Sequence, residues 1–188
     1  MSFPRLFVAL VPPPTVQAEL AAIAVPLPGV RWIPAENIHL TLRFIGETDD
    51  AKAERYHAAL ARVRVEPFIL PVAGVGVFPT RGAPRVLWAG VGNGHTRLYQ
   101  LRKQVDEALL TVDTGLAMPS FHPHFTVGRI GEDHDSKALA HFLERHRGLE
   151  APPFRVAEFQ LLATEFQPGR PPAYRVVKRF ALDRELPM

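Results

Sequence analysis

The tetrad His39-Leu40-Thr41-Leu42 returns in the second half of the chain as His124-Phe125-Thr126-Val127. Each copy sits in a short run that alternates polar and apolar residues, the period of a half-buried β-strand. On such a strand His39, Thr41 and Arg43 share one face, and Leu40, Leu42 and Phe44 share the other. The second copy repeats this, with Phe125 and Val127 as its apolar anchors. A glycine follows each strand (Gly46, Gly131), and then a helical pattern. A chain built this way folds as strands backed by a core, with two matching polar faces, and the repetition points to duplication.

The other segments fit that plan. Residues 5–11 are a compact apolar run closed by Pro12-Pro13-Pro14, and read as a buried strand. Helical spacing is expected at residues 15–24, 49–64, 96–110 and 136–147. Further strands are expected at 30–33, 67–78, 85–91, 124–130, 156–166 and 173–182, with a hairpin loop at 168–172. Gly74 and Gly76 interrupt the run at 67–78, where a bulge is expected. Several strands follow one another directly, which favours α+β over a doubly wound parallel sheet. No Gly/Ser linker divides the chain, so residues 1–188 are expected to form a single domain.

Composition removes several kinds of chemistry. With no cysteine, disulfides, thiolate metal sites and a cysteine nucleophile are excluded. No apolar run is long enough for a membrane span, and the first residues lack a secretory pattern, so a cytoplasmic protein is expected. A net charge of +3 is too mild for a protein that tracks nucleic-acid phosphates along a dense basic face.

Eight histidines remain as the reactive side chains to explain. An imidazole moves a proton near neutral pH, and a neighbouring hydroxyl donates to a charged oxygen. Two His-Thr units facing each other supply a general acid, a general base and two phosphate-holding hydroxyls. That set suits phosphodiester cleavage without a metal. His122 shares the parity of His124, but Pro123 breaks the strand and no third ligand is suitably spaced, so no metal is expected. Gly90, Gly92 and Gly94 lack the Lys-Ser/Thr of a phosphate loop, and no cofactor is expected. Phe78, beside Pro79, is the best candidate to stack a nucleobase; Trp32 and Trp88 read as core.

The longer stretches around the tetrads carry a resemblance. Residues 31–47, RWIPAENIHLTLRFIGE, resemble the first signature of the 2H phosphoesterase superfamily, and residues 121–129, FHPHFTVGR, resemble the second. The branch most similar is that of the RNA 2′,3′-cyclic phosphodiesterases, also called 2′-5′ RNA ligases. The segments at 5–10, 76–79 and 85–91 are similar to its opening and middle strands, so the resemblance covers nearly the whole chain. It implies a bilobal α+β sandwich of two pseudo-symmetric halves around a central cleft. It implies an enzyme that opens 2′,3′-cyclic phosphate ends of RNA to 2′-phosphates; separately, a monomer is expected. In that scheme His39 is the proton donor, His124 the proton acceptor, and Thr41 and Thr126 hold phosphoryl oxygens. Arg129 binds the phosphate, although its strand parity is opposite to that of His124 and it reaches the site only if the strand ends or bulges near Gly128. Alternatives are 2′-5′ ligation or cleavage as the main activity, or a non-catalytic module that binds RNA ends.

Overall fold

The computed structural model describes residues 4–92, 95–166 and 172–183; the loop expected at 168–172 lies outside these residues except for Pro172. In chain order the elements are β1 (Arg5–Leu10), α1 (Pro14–Ala21), β2 (Val30–Trp32), β3 (Leu40–Glu47), α2 (Asp50–Leu60), β4 (Phe68–Phe78), β5 (Val86–Val91), α3 (Thr96–Leu110), β6 (His124–Ile130), α4 (Ser136–Arg145), β7 (Glu150–Val156), β8 (Glu158–Glu165) and β9 (Ala173–Ala181). The class is α+β, as expected.

Helix starts follow side-chain chemistry. The Asp49 carboxylate accepts from the Lys52 N–H at 2.7 Å, and Asp135 accepts from Lys137 and Ala138. Helix α2 ends at Leu60, short of residue 64, because Gln104 of α3 takes both backbone groups of Arg64, accepting its N–H and donating to its carbonyl, each at 2.7 Å. Strand β7 is absent from the expected elements. Its Pro152 and Pro153 sit exposed on an edge strand, where an extra residue opposite Leu70–Val72 makes a bulge. An edge or bulge is where a strand tolerates a residue that cannot donate.

The strands form one curled antiparallel sheet in the order β7-β4-β5-β6-β3-β1-β8-β9, with β2 on β6. Its middle is narrow: β3 and β6 share one pair, Leu40 opposite Phe125. This seam separates a lobe of β3, β1, β8 and β9 from a lobe of β6, β5, β4 and β7 with β2. The lobes do not follow the halves of the sequence, because β8 and β9 cross back to complete the lobe begun by β1 and β3.

One apolar core backs both lobes. Leu40, Leu42, Phe125 and Val127 point into it, together with Tyr56 and Leu60 of α2, Leu101 and Val105 of α3, and Phe142 of α4. Phe125 is fully buried, its ring 6.3 Å from Phe154, so the large residue after the second histidine is absorbed by packing. With that face committed to the core, the polar partners on both strands are left on the other.

Candidate active site

Neither His-x-Thr strand keeps a strict two-residue period. Along β1, Val8 pairs with Arg43 but Ala9 pairs with Thr41, so Leu42 is an extra residue. Along β5, Leu87 pairs with Gly128 but Trp88 pairs with Thr126, so Val127 is extra. Both bulges fall directly after the threonine, and each reverses the parity of the residues beyond it. Arg129 is thereby turned toward the face of His124 and Thr126. The same reversal overturns the expectation for the first strand: Phe44, assigned to the core face, is 72% exposed, and Arg43, assigned to the polar face, is 2% exposed.

A cavity of about 440 Å³ collects the result. Its walls include His39, Thr41, His124, Thr126 and Arg129, with Phe44 and Tyr174 beside them. Counting on from Leu40 opposite Phe125 sets His39 across from Thr126 and Thr41 across from His124, a local two-fold arrangement. A cavity of about 500 Å³ lies on the far side of His39 and Tyr174, against the proline run before α1, but it includes neither threonine nor His124. The smaller cavity is therefore the chemical one.

Both imidazoles are fixed alike. Nδ1 of His39 lies 2.8 Å from the Asn37 carbonyl, and Nδ1 of His124 lies 2.6 Å from the His122 carbonyl. A carbonyl only accepts, so each Nδ1 carries a hydrogen and each Nε2 keeps the lone pair. Burial lowers the His39 pKa to about 4; the Asn37 carbonyl opposes the shift, and His124 and Arg129 add to it. Burial also lowers His124, against the His122 carbonyl and with help from Arg129. The ring of His39 packs against Phe7 at 5.1 Å and edge-on to Tyr174 at 4.9 Å.

Phe78, expected to stack a base, is not on the cavity wall. Its ring stands edge-on to His124 at 5.0 Å and 5.3 Å from Trp88, on the same face of the sheet, so it flanks the imidazole. Asn37, Phe44 and Tyr174 also stand on the wall and are not among the site residues the sequence singles out. Asn37 could have been found from its position two residues before His39. Phe44 could have been found by asking of the first tetrad what Arg129 demands of the second. Tyr174 arrives from β9, and no local signal marks it. Among the described residues, no three His, Cys, Asp or Glu side chains come together.

Paired His-Thr strands across a cleft, on this two-lobed sheet, are the architecture of a phosphoesterase. The chain belongs to the LigT-like phosphoesterases: the family model "LigT like Phosphoesterase" matches residues 10–88 and 91–173. An RNA 2′,3′-cyclic phosphodiesterase of Thermus thermophilus is 33% identical over 193 residues, covering 96% of this chain and 91% of that protein. One of Archaeoglobus fulgidus is 31% identical over 180 residues, covering 94% and 99%. Among solved structures, TT0787 of Thermus thermophilus superposes with a TM-score of 0.79 at 27% identity, over 97% of this chain and all (100%) of that one. Escherichia coli LigT complexed with 3′-AMP gives 0.75 at 26% identity, over 98% and 100%.

Proposed function

We propose that this protein is an RNA 2′,3′-cyclic phosphodiesterase that opens the cyclic end to a 2′-phosphate by metal-independent acid–base catalysis. The observation that carries this reading is the pair of His-Thr units at the seam, each imidazole tied back through Nδ1 to a carbonyl. The names of the relatives support the substrate class, as does the 3′-AMP in the Escherichia coli complex.

Water attacks phosphorus opposite the 3′ oxygen. His124 Nε2 takes the water proton as the new O–P bond forms, and His39 gives its proton to the 3′ oxygen as that P–O bond breaks. The products are a 2′-phosphate and a free 3′-hydroxyl, and solvent then returns both rings to their starting states. Thr41 and Thr126 donate to the non-bridging oxygens, and Arg129 offsets their charge. Burial keeps both imidazoles neutral near pH 7 in the free protein. The anionic phosphate favours an imidazolium, so the proton that His39 donates is taken up with the substrate. Phe44 offers an exposed aromatic face for the base. The chain acts as a single-domain monomer in the cytoplasm, both lobes serving one cleft.

Turnover of a 2′,3′-cyclic nucleotide in excess EDTA tests this. The expected product is the 2′-phosphate; a 3′-phosphate would reverse the assigned polarity, and loss of activity in EDTA would replace the metal-free scheme. His39→Ala and His124→Ala should each lower the rate by ~10²–10⁴. Full activity in either variant would sink the acid–base reading.

A further inference from the structure

Behind the first catalytic strand lies an ionic cluster that the proposed reaction does not use. Arg43, Arg102 and Asp106 are 2%, 7% and 8% exposed, two guanidiniums around one carboxylate. Arg102 Nε donates to Asp106 Oδ2 at 2.6 Å. Arg43 Nη1 faces Asp106 Oδ1 across 3.4 Å, an ion pair without hydrogen-bond geometry. A buried ion cluster adds little stability over well-packed apolar residues. What it can impose is geometry.

The contacts of the cluster are placed to do that. Arg102 Nη1 donates to the carbonyl of Leu42 at 2.6 Å, and Leu42 is the bulge residue that follows Thr41. The matching bulge residue on β6, Val127, gives its carbonyl to the backbone N–H of Ile33 at 2.9 Å. One bulge is therefore held by a neighbouring strand end and the other by a side chain from α3. The cluster also reaches the approach to β6. Arg43 Nη2 donates to the Ala117 carbonyl, and the Arg102 guanidinium lies 4.9 Å from the centre of the Phe121 ring. Phe121 precedes His122, whose carbonyl holds His124.

We infer that Arg102, braced by Asp106, is a positioning residue for the β3 side of the cleft: it holds the Leu42 carbonyl, and with it the bulge that aims Thr41 and Phe44 at the substrate. The inference rests on the proposed role of Thr41. Arg102 touches no reacting atom; its hydrogen bond to Leu42 acts through β3, its contact with Phe121 touches only the approach to β6, and the positioning role requires the β3 route to dominate. Loss of its hydrogen bond frees Leu42 to slide back into register, which would either shift Thr41 off the site face or turn Phe44 toward the core.

A double-mutant cycle on a 2′,3′-cyclic nucleotide separates this from a general packing role. Arg102→Met should lower kcat about tenfold or more with a smaller change in KM. Combined with Thr41→Ala it should add little further loss; combined with Thr126→Ala the two losses should multiply. Arg102→Lys, which can still donate one N–H, should recover part of the activity. Losses that multiply with both threonines, or a wild-type kcat in Arg102→Met, would overturn the inference. If Arg102→Met does not fold, Asp106→Asn removes the brace while leaving the guanidinium, and the same pattern of non-additivity is required. A fully active Thr41→Ala would overturn the reading of the site itself, and the inference with it. An impaired Thr41→Ala whose loss multiplies with Arg102→Met would overturn the inference alone.

Discussion

His39 and His124 carry the same Nδ1 constraint but sit in different surroundings. His39 is enclosed by Phe7 and Tyr174, and its pKa falls to about 4. His124 meets Phe78 on one side, and burial, with Arg129 adding to it, lowers its pKa. With both rings neutral at pH 7, binding an anion in the cleft must draw in protons. Sulfate makes this measurable, because its charge is constant above pH 4. Its affinity should rise as pH falls from 7 toward 5, by at most about tenfold per pH unit for each proton taken up. Calorimetry in buffers of different ionisation enthalpy should register the uptake, and His39→Asn should reduce it. Binding without proton uptake would contradict the coupling of anion binding to protonation of the imidazoles. At this scale the sequence was legible as far as parity holds. His39, Thr41, His124 and Thr126 fall on one face because no bulge intervenes between the histidine and the threonine of either tetrad. Arg43 and Phe44 lie beyond one, so a period of two assigned each to the wrong side.

A bulge directly after each threonine makes the two catalytic strands equivalent as elements and not merely as motifs. The polar face of β6 continues sideways onto β5 and β4, where Trp88 and Phe78 stand beside His124 on the same face of the sheet. Gly76 on β4 is what lets Trp88 lie flat: a Cβ there would stand 2.2 Å from Trp88 Cζ2. Gly76→Ala must therefore move the indole, and Phe78 and His124 stand next in line. We expect destabilisation of roughly 1–3 kcal/mol by urea titration, as for other overpacked sites. Turnover should fall beyond what the folded fraction explains, and unchanged turnover per folded molecule would show that Trp88 moves away from the site. Residue spacing disclosed α3 and β6 to their ends, since heptad-like and alternating patterns there meet no competing signal. It did not disclose β7, where Pro152 and Pro153 are acceptable only because the strand is an edge. Edge position is a property of the sheet and cannot be read from the segment.

The whole molecule closes two lobes on a seam of one residue pair, and the seam is where His39 loses its water. That has a consequence for stability. In the unfolded chain His39 titrates near its ordinary value of 6.5; in the folded protein it titrates at about 4. Above pH 6.5 both states leave the ring neutral and the group contributes no slope. As pH falls from 6.5 to 4 the unfolded chain binds a proton that the folded one refuses, so unfolding becomes more favourable. The loss from His39 across this window is about 3 kcal/mol, and His124, shifted in the same direction, adds to it. Asp113 acts in a lower window: its hydrogen bond from Lys52 depresses its pKa, so its contribution is present above its ordinary value of 3.8 and is lost only as pH falls below that. Urea titrations at intervals from pH 7.5 to 4 should therefore show a flat region, then a decline beginning near pH 6.5. His39→Asn, which can still donate to the Asn37 carbonyl, should lift most of that decline while leaving the region above pH 7 little changed. Saturating sulfate should lift it in the wild type as well, because an anion held between the imidazoles lets the folded state accept the proton. If His39→Asn declines as steeply as the wild type, the acid sensitivity has its origin away from the seam.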